Sequence, residues 1–346
     1  MLTFPPSIHE RRGAALPAAR RDETMDDTHI LVGQTPMKLP PAGAEGDYVD
    51  LAGERFFRIS NVDTMAPFLM SLASDSDHWM FISSTAALTA GRGNPDRALF
   101  PYTTDDRIHD AQDRVGGKTV LLVQGHQGRS LWEPFSKRLQ GLYRVTRNLY
   151  KNVPGNVLVF EEVNHDLELT FRQSWQTSER FGLVRRSTLS RQRSGATRVH
   201  VLDGIQNLLP PGISRRYQME FSTLADGFKD NELAPDSGLG LFRLSSVPTD
   251  QAEPSEALRV STVWCAGVSP DQVLLSARQL DRFRQGRGVE TETRTRGVRG
   301  AYLIALDREL SEAQELEWHL VAEVDQGVVE VTALRELLRS GQPLAE

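Results

Sequence analysis

The chain has 346 residues, 39% of them hydrophobic and 25% charged, and a formal net charge of −6. This is the composition of a soluble globular protein long enough for one large or two ordinary domains, and the acidic balance argues against nucleic acid as the main partner, because phosphate binding needs a basic face. One cysteine, Cys265, excludes an intramolecular disulfide and a thiolate metal cage, and no run approaches the length of a membrane span, so no membrane partner is expected and a cytoplasmic location follows by default.

In chain order, residues 1–47 are rich in Pro, Ala, Arg and Asp without periodicity and read as a disordered leader. From Gly46, GDYVDLAGERFFRISN predicts two strands around an Ala-Gly-Glu turn. NVDTMAPFLMSLAS has apolar residues at Met65, Phe68, Leu69 and Leu72, a spacing that predicts a short helix broken near Pro67. HWMFIS and KTVLLVQ read as buried strands. LYRVTRNLY, NVLVFEEV, DLELTFRQSW, FGLVRRSTLS, TRVHVLDG and RRYQMEFST then follow as successive strands. In DLELTFRQSW, Leu167, Leu169, Phe171 and Gln173 share one face while Asp166, Glu168, Thr170 and Arg172 share the other, the alternation of an antiparallel strand. Arg185, Arg186, Arg191 and Arg193 read as a solvated face.

LGLFRLSSV, ALRVSTVWCAG, GAYLIALD and LEWHLVAEV form a further strand set, with Cys265 as a small core residue. Between them SPDQVLLSARQLDRFRQG predicts a helix, capped by Ser269, with Pro270 in its first turn and Val273, Leu274, Ala277, Leu280 and Phe283 as its stripe. VVEVTALRELLRSG predicts a last helix whose Val331, Leu334, Leu337 and Leu338 await a partner. Strands this frequent predict a large all-β sandwich.

Among motifs, no P-loop, G-x-G-x-x-G or H-E-x-x-H occurs, and the eight histidines are scattered, so no cofactor or metal is expected. There is no G-x-S-x-G, and Ser83-Ser84 have no oriented His–acid pair in the local sequence. Asp105/Asp106 and Glu161/Glu162 are adjacent, so neither pair can flank a glycosidic bond alone, because strand neighbours point to opposite faces. Sugars are held by flat aromatic faces and planar bidentate groups. Trp79, Arg92, Asn94, Asp96, Tyr102, Asp105 and Asp106 supply that set within 28 residues and are the predicted substrate-binding residues. The bland reading of the same residues is a core tryptophan, a plain Asn-Pro-Asp turn and a structural arginine.

YVDLAGERFFRISNVDTMAPFLMSLASDSDHWMFISS, LTAGRGNPDRALFPYTTDDRIHD, LVFEEVNHDLELTFRQSW and GLGLFRLSSVPTDQAEPSEALRVSTVW resemble the N-terminal region of cellobiose-phosphorylase-like bacterial proteins, glycoside hydrolase family 94, formerly glycosyltransferase family 36. The resemblance covers most of residues 46–346. It implies a galactose-mutarotase-like antiparallel β-supersandwich over 48–325 with a few short helices. A helical linker would begin at 326–346, ahead of a helical barrel that this chain lacks. It also implies a carbohydrate partner, a glucan or disaccharide, and an active site completed by a barrel partner, so that the domain binds sugar without cleaving it. The competing expectations are a structural or homodimerising scaffold, and an independent glycoside hydrolase with an Asp/Glu dyad. One departure stands out: an Asn-Gly-Gly type turn is expected after HWMFISS, where this chain has Thr85-Ala86-Ala87, and glycine permits a positive φ that alanine resists.

Overall fold

A computed structural model describes residues 30–39, 43–247, 256–312 and 314–341. Most of the expected leader lies outside the described residues. The chain divides into two units, Met1–Met37 and Lys38–Glu346. In the first, Leu31–Val32 pairs with Thr35–Pro36 around Gly33.

The second unit is mainly β and antiparallel. Among the described residues its largest sheet has eleven strands, in the spatial order Arg294–Arg296, Lys229–Ala234, Leu239–Leu244, Val260–Ala266, Glu315–Gln326, Gly182–Arg191, Leu169–Ser178, Leu158–Asn164, Val145–Asn152, Glu54–Ser60 and Glu45–Leu51. A five-stranded sheet runs Gln272–Leu274, Gly300–Leu310, Thr197–Leu208, Gly116–Gly125, Gly128–Trp132, and a three-stranded one Leu69–Leu72, His78–Ser83, Leu88–Arg92. Side-chain alternation decides how they pack. Phe160, Phe171, Trp175, Leu320 and Trp318 of the large sheet join Leu121, Val123, Val201 and Ile304 of the five-stranded sheet and Met80 and Ile82 of the third in one core.

KTVLLVQ lacks polar alternation because both its faces are covered. Leu121 and Val123 enter the main core, whereas Val120 and Leu122 enter a second cluster under Leu280 and Phe283. The same splitting explains why the helix expected from Ser269 is mostly absent. Gln272–Leu274 is a strand, Val273 paired with Ile304, and only Leu280–Arg284 is helical. Val273 and Leu275 face the main core and Leu274 the outer cluster, so the apparent stripe is divided between two faces.

Three further expectations are corrected. NVDTMAPFLMSLAS is a 3-10 turn at Val62–Thr64 followed by the strand Leu69–Leu72, with Asn61 left-handed at φ 52° before the turn. RRYQMEFST is not a strand but two short helices, Arg215–Glu220 and Ser222–Phe228, the first capped by Ser214, whose side chain accepts from the Tyr217 N–H. Arg185 is not solvated. It is fully buried, with Nη1 2.7 Å and Nη2 2.9 Å from the Asp203 carboxylate, which also accepts from the Trp318 indole at 2.7 Å.

The last helix, Val328–Ser340, forms as expected, but its face has a partner within the chain. Val331, Leu334 and Leu338 pack on Val184, Leu239, Trp264 and Val321, on the outer side of the large sheet. Cys265 is half-buried on its strand, and burial pushes its thiol up to about 12, which suits packing and not nucleophilic chemistry.

Candidate functional site

The hairpin His78–Ser83/Leu88–Arg92 and the chain that leaves it place the predicted binding residues. Gly91 makes the exit possible. A Cβ there would lie 2.4 Å from the Arg97 carbonyl and 2.7 Å from the Trp79 ring, so only glycine lets the returning chain pass so close. Arg92 is drawn into structure, with Nε 2.7 Å from Asp77 and Nη1 3.2 Å from Glu323. Asn94 caps the turn Pro95–Arg97 by accepting from the Asp96 N–H at 3.0 Å. Asp96 accepts from the Arg215 N–H at 2.5 Å and so ties the start of the helix Arg215–Glu220 to this turn. Asp105 caps the 3-10 segment Asp106–Ala111, accepting from the Arg107 N–H at 3.0 Å. It also pairs with the Arg107 guanidinium at 2.5 Å, which holds its carboxyl below the usual range. Asp106 is exposed in the first turn of that segment.

Tyr102 is where these pieces meet. Its ring stands edge-on to Trp79, centroids 5.5 Å apart, and the Arg215 guanidinium lies 5.1 Å from its centre. Its N–H donates to Gln218 Oε1 at 2.9 Å. A cavity of about 310 Å³ opens here, lined by Tyr102, Thr103, Thr104, Asp105, Arg107, Arg215 and Gln218. Of the predicted set, the structure brings Tyr102 and Asp105 to this wall, with Trp79 behind Tyr102. Arg92, Asn94 and Asp96 fasten the scaffold around it. Arg215 and Gln218 were missed because they lie more than a hundred residues further along the chain.

A second cavity, of about 240 Å³, lies between the turn at Ser84–Ala86, the segment Val62–Pro67, Phe135–Gln140 and the strand residues Arg147, Asn148 and Phe160. Its floor depends on the adjacent acids of LVFEEV, which do point to opposite faces. Glu161 takes the Asn148 amide at 2.7 Å and the Tyr150 hydroxyl at 2.8 Å, and pairs with Arg172. Glu162 accepts from the Trp132 indole, the Phe135 N–H and Arg147 Nε, each at 2.7 Å. Ala86, at φ 69°, supplies the left-handed turn for which glycine was expected. Ser83 is 2.7 Å from His109 Nδ1, but its oxygen is buried and shared with the Thr85 N–H and hydroxyl, so it fastens the turn. Asp63 keeps an exposed edge, yet partial desolvation at the cavity rim raises its carboxyl above the usual range, although Arg147 and its own backbone N–H partly oppose this. Among the described residues no group of His, Cys, Asp and Glu could hold a metal ion, and no helix is long and apolar enough to cross a membrane.

No family model matches the chain, and no curated protein matches it. Solved structures overlap it loosely. A bacterial glucoamylase complexed with acarbose aligns with 88% of this chain at 7% identity and a TM-score of 0.39. A candidate aldose 1-epimerase from Klebsiella pneumoniae aligns with 88% of it at 9% identity and TM-score 0.37, and covers 93% of its own length. A heparinase III aligns with 86% at 10% identity and TM-score 0.34. The chain spans 37% of the glucoamylase and 38% of the heparinase. Overlaps at these TM-scores carry no conclusion about the chemistry of this chain.

Proposed function

We propose that this chain is a carbohydrate-binding β-sandwich that presents saccharide at the Tyr102 cleft and does not cleave it unaided. The observation that supports this most is the Tyr102 wall itself. A half-exposed aromatic ring is braced by Trp79 at 5.5 Å, carries the Arg215 guanidinium over one face at 5.1 Å, and shares a cavity of about 310 Å³ with Arg107, Asp105 and Gln218. A flat apolar face bordered by planar groups that both donate and accept suits a pyranose ring, which is apolar on its faces and ringed by hydroxyls. The cavity's size, at the lower end of the ~300–1,000 Å³ range of ligand pockets, suits a disaccharide end or one stretch of a glucan. Asp105, the carboxylate on this wall, is paired with Arg107 and held below the usual range, the wrong direction for a proton donor. A catalytic acid would then come from elsewhere, as in the phosphorylase-like architecture that the sequence resembles, where a helical barrel supplies it.

The scaffold reading loses its main support, because the apolar face of Val328–Ser340 that it needed free is covered by the chain's own sheet. Calorimetric titration with β- and α-glucan oligosaccharides and disaccharides tests the proposal. At least one is expected to bind, and Tyr102→Ala or Arg215→Ala is expected to weaken it at least tenfold. Absence of binding to all of them rejects the reading.

A further inference from the structure

We propose that the second cavity, walled by Phe135 and Phe160 and edged by Asp63 and Lys137, is a separate site for one polyhydroxylated ring of monosaccharide size. The chemical class rests on the carbohydrate reading above, while the residues and the cavity are distinct from the Tyr102 cleft.

Backbone strain points to it first. Of the seven non-glycine residues at positive φ among those described, Ala86 at 69° and Phe135 at 62° both border this cavity. A bulky residue in that region is strained and persists where the surroundings impose it, often at ligand sites. Glu162 imposes it here by accepting the Phe135 N–H at 2.7 Å. The outcome is a ring set 6.0 Å from Phe160 and 6.0 Å from Phe171, a flat wall beside polar groups.

Several of those polar groups keep unfilled hydrogen-bonding capacity. Among the described residues neither Asp63 nor Lys137 forms an ion pair, although each borders the cavity and their charges are opposite. Asn148 Oδ1 and Gln112 Oε1 are buried without hydrogen-bond partners, and both residues line the cavity. The Asn148 amide nitrogen is already given to Glu161 at 2.7 Å, which fixes the amide's orientation and leaves its oxygen unmatched. Arg147 is spent on Glu162 and on the Ser136 carbonyl. The free groups are therefore mostly acceptors, a carboxyl and two amide oxygens, with one ammonium. They match a ligand that donates several hydrogens and accepts at one place, as a ring of hydroxyls does. The volume, about 240 Å³, is below the ~300 Å³ floor of common ligand pockets and suits one ring, not a chain.

Ligand-observed NMR of the full chain with D-glucose, D-galactose and D-glucuronate tests the site. At least one is expected to bind to Tyr102→Ala, in which only this cavity is left, and that binding is expected to weaken at least tenfold when Asp63→Ala or Lys137→Ala is added. Both cavity substitutions are at exposed positions, and thermal melts confirm that each variant is folded. No binding of any of the three to Tyr102→Ala, or binding there that survives both cavity substitutions, overturns the inference. Oligosaccharide binding that depends on Tyr102 stands or falls separately, so the two readings fail distinguishably.

Discussion

At Glu162 one carboxylate holds three elements. It joins the Trp132 indole, the left-handed Phe135 backbone and Arg147, and is itself 1% exposed. Replacing it by Gln keeps the shape but leaves the Arg147 guanidinium without its anion. Removing one member of a buried pair costs more than the pair contributes, on the order of 3 kcal/mol. Glu162→Gln is thus expected to lower the urea midpoint by an amount equivalent to about 3 kcal/mol, and an unchanged midpoint contradicts this role. Ala86 carries the opposite expectation. Its φ of 69° is strained for alanine and free for glycine, so Ala86→Gly should stabilise by up to ~1 kcal/mol, less the entropy glycine adds to the unfolded chain. Destabilisation of that variant in the same urea experiment would show that the turn is not strained. Where the resemblance implies an Asn-Gly-Gly turn, Ala86 adopts the left-handed backbone conformation that glycine favours.

Among the elements, strands with one polar face were readable and those with two apolar faces were ambiguous. Leu169, Phe171 and Gln173 alternate with Arg172, which meets solvent, but Thr170 on the expected wet face is buried and residues 166–168 form the turn before the strand. Val273–Leu275 and KTVLLVQ serve two hydrophobic clusters at once, so their local pattern has no clean period, and the first was mistaken for a helix. RRYQMEFST became helical because Ser214 and the Asp96 carboxylate hold the N–H groups of its first turn, and Asp96 is distant in sequence. The Tyr102 wall was half readable for the same reason. Tyr102 and Asp105 lie in one local stretch with Trp79, whereas Arg215 and Gln218 arrive only through folding. Gly91 joins these parts. Gly91→Ala would force its Cβ against the Arg97 carbonyl and the Trp79 ring, costing about 1–3 kcal/mol as overpacking does. A lower melting temperature with weaker saccharide binding is expected, and a melt identical to the parent's would show that the close approach is not needed.

For the whole molecule, acid sensitivity is shared by several carboxylates that Arg and Lys partners hold below the usual range, and Asp166 is among the most strongly shifted. Asp166, partly desolvated, is nevertheless held down to about 2 by Lys38 Nζ at 2.6 Å and by the Arg144 N–H and guanidinium, each at 2.8 Å. Its folded pKa lies below its unfolded value, so its contribution is complete above about pH 4 and is lost as the pH falls towards 2. Because Lys38 and Arg144 are partly exposed, the contribution is about 1–2 kcal/mol. Asp166→Asn should remove it at pH 7 and flatten the stability curve between pH 4 and pH 2, as read from urea melts across that range. An equal slope in both proteins would assign acid sensitivity to other groups.

Saccharide binding as proposed requires Tyr102 to offer its free face to a sugar. Saturation-transfer NMR with a disaccharide and a short glucan, on the parent chain and on Tyr102→Ala, reads that contact directly. Strong transfer to the ring protons of one saccharide is expected, with its loss in the variant and an intact saccharide at the end of the measurement. Equal transfer in both proteins, or cleavage of the saccharide by the parent chain alone, would contradict the proposal.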